Sequence, residues 1–384
     1  MFSTDLIRNS VRRHFSLIKS STVLINMMSN LTMNIACNGK YAIIIFLSIF
    51  LLFFVVMDIH LYFSLQSTTL VGQKRIGSQY FSPFEPLSMK LLMTDPVNHY
   101  IFTPLAEYFD DVTQFSKVFY FITPNMISFT HLVLAFVAGK FVSSESLGHR
   151  RLGVVIYHFR NWLDDLDGVV YRSHSQTKGN YRSNKSNLGY YIDIYSDIIG
   201  GFALSFGILF YLWKCPPSRF NHSVLPVKLP DATPQSPERQ NGSPVRKSFP
   251  LNFLTGTERP AGGLTRKYIF WKVFCFGFTL IVAAGTWDKV VERYTYVFQS
   301  EFTDPKITAL QTEALHSTWT WIIILMWRVI EGQALLQMVL LSVFIDRVWE
   351  FFNFMQYLGI CLVIILNIVS DIHIRQVHHI LGIN

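Results

Sequence analysis

Tyr41 to Met57 reads YAIIIFLSIFLLFFVVM, 17 uncharged residues between Lys40 and Asp58. A helix of that length just crosses the hydrocarbon core of a bilayer, and it exceeds the apolar stretch of a cleaved leader. In lipid the backbone must satisfy its own hydrogen bonds, so the run has to be helical. No small-residue cleavage site follows it, and a retained anchor is expected. Further apolar runs fall at 124–142, 146–166, 188–213, 268–286, 318–344 and 351–370, although Arg151, His158 and Arg160 interrupt the second of these six. The expected fold is therefore an all-α polytopic membrane protein with six core helices and one extra N-terminal transmembrane helix, seven spans in all.

Composition agrees. Half of the 384 residues are hydrophobic and only 15% are charged, where a soluble domain carries about a quarter. The net charge of +8 sits in tails and loops, with no basic face interleaved with aromatics, so nucleic acid is not an expected partner. Cys37, Cys215, Cys275 and Cys361 are too scattered for a disulfide framework or a metal site.

The segments read in order as follows. Residues 1–40 form a basic tail, with Arg8, Arg12, Arg13, Lys19 and Lys40 against Asp5, which the positive-inside rule keeps in the cytosol. The anchor spans 41–57. Residues 58–123 are then lumenal and end in an amphipathic helix that starts at Thr103-Pro104, with Thr as cap. Its apolar face carries Leu105, Tyr108, Phe109, Val112, Phe115 and Phe119. Its polar face carries Glu107, Asp110, Asp111, Gln114 and Lys117, a pattern suited to the lipid interface. Residues 124–213 carry an acidic motif, 214–267 form a cytosolic loop rich in Pro, Ser and basic residues, and 268–384 hold the last helices.

The acidic motif lies in NWLDDLDGVVYRSHSQTKGNYRSNKSNLGYYIDIYSDIIGG, residues 161–201. Asp164 and Asp167 are three apart at the end of one span, and Asp193 and Asp197 are four apart at the start of the next. Either spacing puts both side chains on one helix face. Carboxylates at membrane depth repel one another unless a positive charge sits among them, and a hard divalent cation, Mg²⁺ or Mn²⁺, suits oxygen ligands and phosphate. The plain alternative is a set of solvated residues at a helix–loop boundary. Asp165, about 100° away from Asp164 around a helix, is assigned to that class. For the other four, Gly168 and Gly189 argue against it: each leaves room for a ligand against the backbone beside the acids.

These residues resemble the signature of the CDP-alcohol phosphotransferases, D-x2-D-G-x2-A-R-x8-G-x3-D-x3-D. Asp164, Asp167, Gly168, Arg172, Gly189, Asp193 and Asp197 match in order. Tyr171 replaces the alanine, and the spacer from Arg172 to Gly189 is 16 residues long. Pro124-Asn125 resembles the usual start of the family's first core helix. The resemblance implies that Asp164, Asp167, Asp193 and Asp197 hold metal against the diphosphate, and that Asp197 is also general base on a lipid hydroxyl. It assigns Gly168, Arg172, Gly189 and Asn125 to the CDP-alcohol. With the long spacer and the extra anchor, the pattern is most similar to the insect-type ceramide phosphoethanolamine synthases. That narrower likeness implies CDP-ethanolamine and ceramide as substrates. Counting spans from a cytosolic N-terminus puts the acidic motif on the lumenal side, the reverse of the family's usual arrangement, and a lumenal site fits a Golgi membrane. A diacylglycerol-using relative is the alternative within the family, and a divalent-cation transporter the alternative from another class. The oligomeric state stays open, a homodimer included. Among other intramembrane charges, Arg328 and Glu331 are read as an internal ion pair, and His131, His158, His378 and His379 as structural or exposed.

Overall fold

A computed structural model describes residues 39–72, 81–175, 188–217 and 264–382. The basic tail and most of the 214–267 loop lie outside the described residues. Every regular element among those described is helical. The chain divides into two units, residues 1–68 with 83–85 and residues 69–82 with 86–384.

The first unit is built on α1 (Gly39–Gln66). The helix runs past Asp58 and His60, well beyond the expected end at residue 57, because each helical turn satisfies its own backbone whether or not the side chains are apolar. Near its end the Ser64 hydroxyl donates to the Phe84 carbonyl at 2.6 Å, and the His60 ring meets the Phe84 ring edge-on.

The second unit holds α2 (Met89–Met93), a π-helical turn (Asn98–Phe102), α3 (Thr103–Thr113), α4 (Phe115–Val118), α5 (Pro124–Val142), α6 (Leu147–His174) and α7 (Leu188–Lys214). It continues with α8 (Arg266–Phe298), α9 (Pro305–His316), α10 (Thr318–Ile330), α11 (Gly332–Phe344) and α12 (Val348–Leu381). Five helices among the described residues, α1, α5, α7, α8 and α12, are long and apolar enough to cross a membrane. The pair α10 and α11, bent by 44°, makes a sixth if read as one broken span. The protein is thus an all-α, multi-pass membrane protein. All but the first residue of the run at 146–166 lies in α6, a 28-residue helix that does not pass on composition because it carries Arg150, Arg151 and Arg160 as well as the acidic motif.

Thr103 does not cap α3. The chain enters that helix already helical from the π turn, without a side-chain cap, and the Thr103 hydroxyl donates to Asp165 instead, at 3.3 Å. The amphipathic pattern of α3 is present with its polar side inward. Glu107 and Asp110 are buried while Leu105, Tyr108 and Val112 are exposed. Glu107 accepts from Arg172 of α6 at 2.9 Å, and Asp110 accepts from the Ser116 backbone and hydroxyl. Ala106, Ile127, Leu166, Val169 and Val170 form a small core joining α3, α5 and α6.

Small residues let α5 approach both of its neighbours. A Cβ on Gly139 of α5 would stand 2.5 Å from the Ala203 carbonyl oxygen of α7, and one on Gly153 of α6 would stand 2.9 Å from the Ala138 carbonyl oxygen. In lipid, where apolar burial against tails gains little, such close backbone contact supplies much of the helix–helix attraction. Gly139→Ala is therefore expected to cost about 1–3 kcal/mol, seen as a lower melting temperature in detergent. Gly148→Ala, whose nearest neighbour would lie at 3.8 Å, should leave the melting temperature unchanged or higher.

Candidate active site

α5 and α6 are joined by a short turn and pack side by side, so the first half of α5 meets the second half of α6. Ile127, Ser128 and His131 are buried on the inner face of α5. Along α6, Tyr157, Arg160, Asp164, Asp167 and Gly168 recur at helical spacing and line one cavity. From α7, Asp193, Asp197, Gly201 and Ser205 face the same space.

Three of the four motif aspartates converge there with a histidine. His131 Nε2 lies 3.5 Å from Asp164 Oδ1, 3.7 Å from Asp167 Oδ2 and 3.8 Å from Asp193 Oδ1. One ligand atom from each of these four residues falls within 4.8 Å of every other. Ser128 donates to Asp167 Oδ2 at 2.6 Å and fixes that carboxylate. Both nitrogens of His131, Asp164 Oδ1 and Asp193 Oδ1 are buried without a hydrogen-bond partner. Buried polar atoms left this way cost roughly 1–3 kcal/mol each, and a cation beside His131 Nε2 would relieve three of the four, that nitrogen and the two carboxylate oxygens. The residues present therefore fit a divalent metal ion.

Asp197 stands apart from this quartet. Its Oδ1 accepts from Arg160 Nη2 in a short ion pair, and Arg160 is 1% exposed, held further by the Asn161 carboxamide. The arginine thus lies in the cavity wall and orients the carboxylate. Asp165, read from the sequence as solvated, lines the cavity too. Gly168 and Arg172 also line it, with Arg172 fixed by Glu107. Asn125 is exposed at the start of α5 and Gly189 sits in the first turn of α7. Neither is among the cavity-lining residues. Arg328 donates to the Leu92 carbonyl and stacks over Tyr100, while Glu331 caps α11. Outside the spans, burial raises the Asp95 carboxyl to about 6, against the lowering effect of backbone N–H donors from Asn98 and Val97.

His131, read from the sequence as structural or exposed, instead sits in the cluster, and Ser128 was not singled out. They are three apart on one face of α5, but they precede the acidic motif by more than 30 residues and share no ligand spacing with it. The signal that could have found them is polarity: a Ser and a His on one face of an apolar helix that packs against the motif.

The cavity has a volume of about 550 Å³. One side is the acidic cluster; another is apolar, with Phe202 from α7 and Gly277, Leu280 and Ile281 from α8. A membrane protein with a charged, metal-fitting centre sharing one cavity with an apolar wall has the parts of an enzyme acting on lipid. Comparison with known proteins gives the particular family. Residues 79–382 match the family described as ceramide phosphoethanolamine synthase. The ceramide phosphoethanolamine synthase of Drosophila melanogaster is 35% identical over 298 residues, covering 77% of this chain and 69% of the relative. The chain belongs to the ceramide phosphoethanolamine synthase family and is a transferase. No solved structure matches it. Membership removes the cation-transporter alternative.

Mn²⁺ titration of purified protein checks the quartet. His131→Ala and Asp167→Asn are each expected to weaken Mn²⁺ binding by about tenfold or more, and Asp197→Asn by much less. Equal losses for Asp197→Asn and Asp167→Asn would return Asp197 to the ligand set.

Proposed function

We propose that the protein transfers phosphoethanolamine from CDP-ethanolamine to the primary hydroxyl of ceramide and releases CMP. The observation that carries this is the shared cavity: an acidic, metal-fitting cluster for a diphosphate beside an apolar wall for a lipid. The name of the Drosophila relative, a ceramide phosphoethanolamine synthase, supports the acceptor and the head group.

Asp164, Asp167, Asp193 and His131 would hold the ion. An imidazole among three carboxylates favours Mn²⁺ over Mg²⁺, which prefers an all-oxygen set. The bound ion supplies charge neutralisation to the donor diphosphate and to the leaving CMP. The chain's own residues do the rest. Asp197, turned into the cavity by Arg160, takes the proton from the ceramide hydroxyl. The hydroxyl oxygen bonds to the β-phosphorus as the bond between that phosphorus and the bridging oxygen breaks, and CMP keeps the electron pair. Ser128 keeps Asp167 in place. Gly168 leaves the donor close access to α6, where a Cβ would stand 3.2 Å from Arg172 Nη1.

The lumenal side of a Golgi membrane is the proposed location of the site. With a cytosolic N-terminus and α6 counted as a span, the hairpin that carries the motif returns to the lumen. The 214–267 loop then falls in the cytosol with nine basic residues against three acidic, and 287–317 in the lumen with three basic against five acidic. Both biases follow the positive-inside rule.

Two measurements test this. Purified protein offered CDP-ethanolamine or CDP-choline with ceramide or diacylglycerol should make ceramide phosphoethanolamine by preference. A preference for diacylglycerol would move it to phospholipid synthesis. For orientation, sequons engineered near residues 70 and 300 should gain sugar while Asn221 and Asn241 stay bare. The reverse pattern would put the site in the cytosol.

A further inference from the structure

The cavity contains a second polar group outside the metal-fitting quartet. Asp165 from α6, Asn98 from the π-helical turn and Glu331 from the break between α10 and α11 all line it. Asn98 is 8% exposed and Glu331 3% exposed. Each of the two carboxylates is pinned through one oxygen. Asp165 Oδ1 accepts from Thr103 at 3.3 Å, and Glu331 Oε2 accepts from the Gln333 backbone at 3.1 Å, as the cap of α11. The backbone N–H of Asn98 is likewise tied, to Asp95 Oδ1 at 3.1 Å. The oxygens left over, Asp165 Oδ2, Asn98 Oδ1 and Glu331 Oε1, are buried without a hydrogen-bond partner.

Three held acceptors without donors are unfavourable in an empty site and favourable to one kind of ligand. A primary ammonium carries three N–H donors, no acceptor and one positive charge, which matches two carboxylates and a carboxamide oxygen. A quaternary ammonium has no N–H and would leave all three oxygens unpaired. Position agrees with charge. Asp165 follows Asp164 in the chain and lies about 100° around the helix from it, so this subsite borders the metal-fitting quartet. When the phosphate of an aminoethyl phosphate lies at the quartet, its ammonium is only a two-carbon bridge away.

We propose that Asp165, Asn98 and Glu331 form the subsite for the primary ammonium of the donor's head group, and that they make the enzyme select an aminoethyl donor. The inference rests on the CDP-ethanolamine reading above. The break at Glu331 then has a use: it opens a transmembrane helix pair just where a carboxylate can both cap α11 and face the cavity.

The test compares kcat/KM for CDP-ethanolamine with that for CDP-ethanol, the same donor without its amine, using ceramide and Mn²⁺. Wild-type protein should prefer the amine. Glu331→Gln, which keeps the cap acceptor, and Asp165→Asn, on a different helix, should each lower that preference by about tenfold, the factor that about 1.4 kcal/mol of binding corresponds to. Mn²⁺ affinity and elution as a folded species should be retained. Variants that keep the wild-type preference overturn the subsite and leave the donor reading standing. Wild-type protein that uses neither nucleotide overturns the donor reading and the subsite with it.

Discussion

Mutual repulsion among carboxylates crowded into one cavity is the constraint that the rest of this structure answers. Asp164, Asp167, Asp193 and Asp197 are brought into one cavity by two helices of a membrane protein, where unpaired charge is costly. The protein divides the problem. Arg160 balances Asp197, Ser128 hydrogen-bonds Asp167, and His131 sits among Asp164, Asp167 and Asp193. What is left unbalanced is a set of buried atoms that fit a cation, and in the proposed function that cation would meet the donor diphosphate.

The helix packing follows from the same need. His131 and Ser128 reach the aspartates only because α5 lies close to α6 and α7, and the glycines at 139, 153 and 207 make that approach possible. The core of Ala106, Ile127, Leu166, Val169 and Val170 fixes the end of α6 next to Asp167. On its outer side, α3 ties Glu107 to Arg172. A helix whose polar face turns inward is unusual in water and natural beside lipid, where the polar groups of the protein interior are the better partners.

The helical membrane architecture was legible in the apolar runs, and the acidic motif in its spacing, because both depend on residues close together in sequence. The 41–57 run located α1 but not its end, since apolarity marks the lipid-crossing part and says nothing of a helix that continues past it. The placing of Asp197 with Arg160 was not legible. Four aspartates at regular spacing look equivalent in one dimension, and only the side chain opposite each one separates the three grouped around His131 from the one paired with Arg160. Asp165 was misjudged for a related reason: facing away from Asp164 was equated with facing solvent, whereas α3 and the π turn cover that side. His131, distant in sequence and alone on its helix, carried no spacing signal.

The central claim is that the quartet holds a divalent ion against the donor diphosphate. Electron–nuclear double resonance of Mn²⁺-loaded protein with CDP-ethanolamine bound tests it in one spectrum. A nitrogen coupling from His131, absent in His131→Ala, together with phosphorus couplings from the nucleotide is the expected result. Bound Mn²⁺ with no phosphorus coupling would contradict the account.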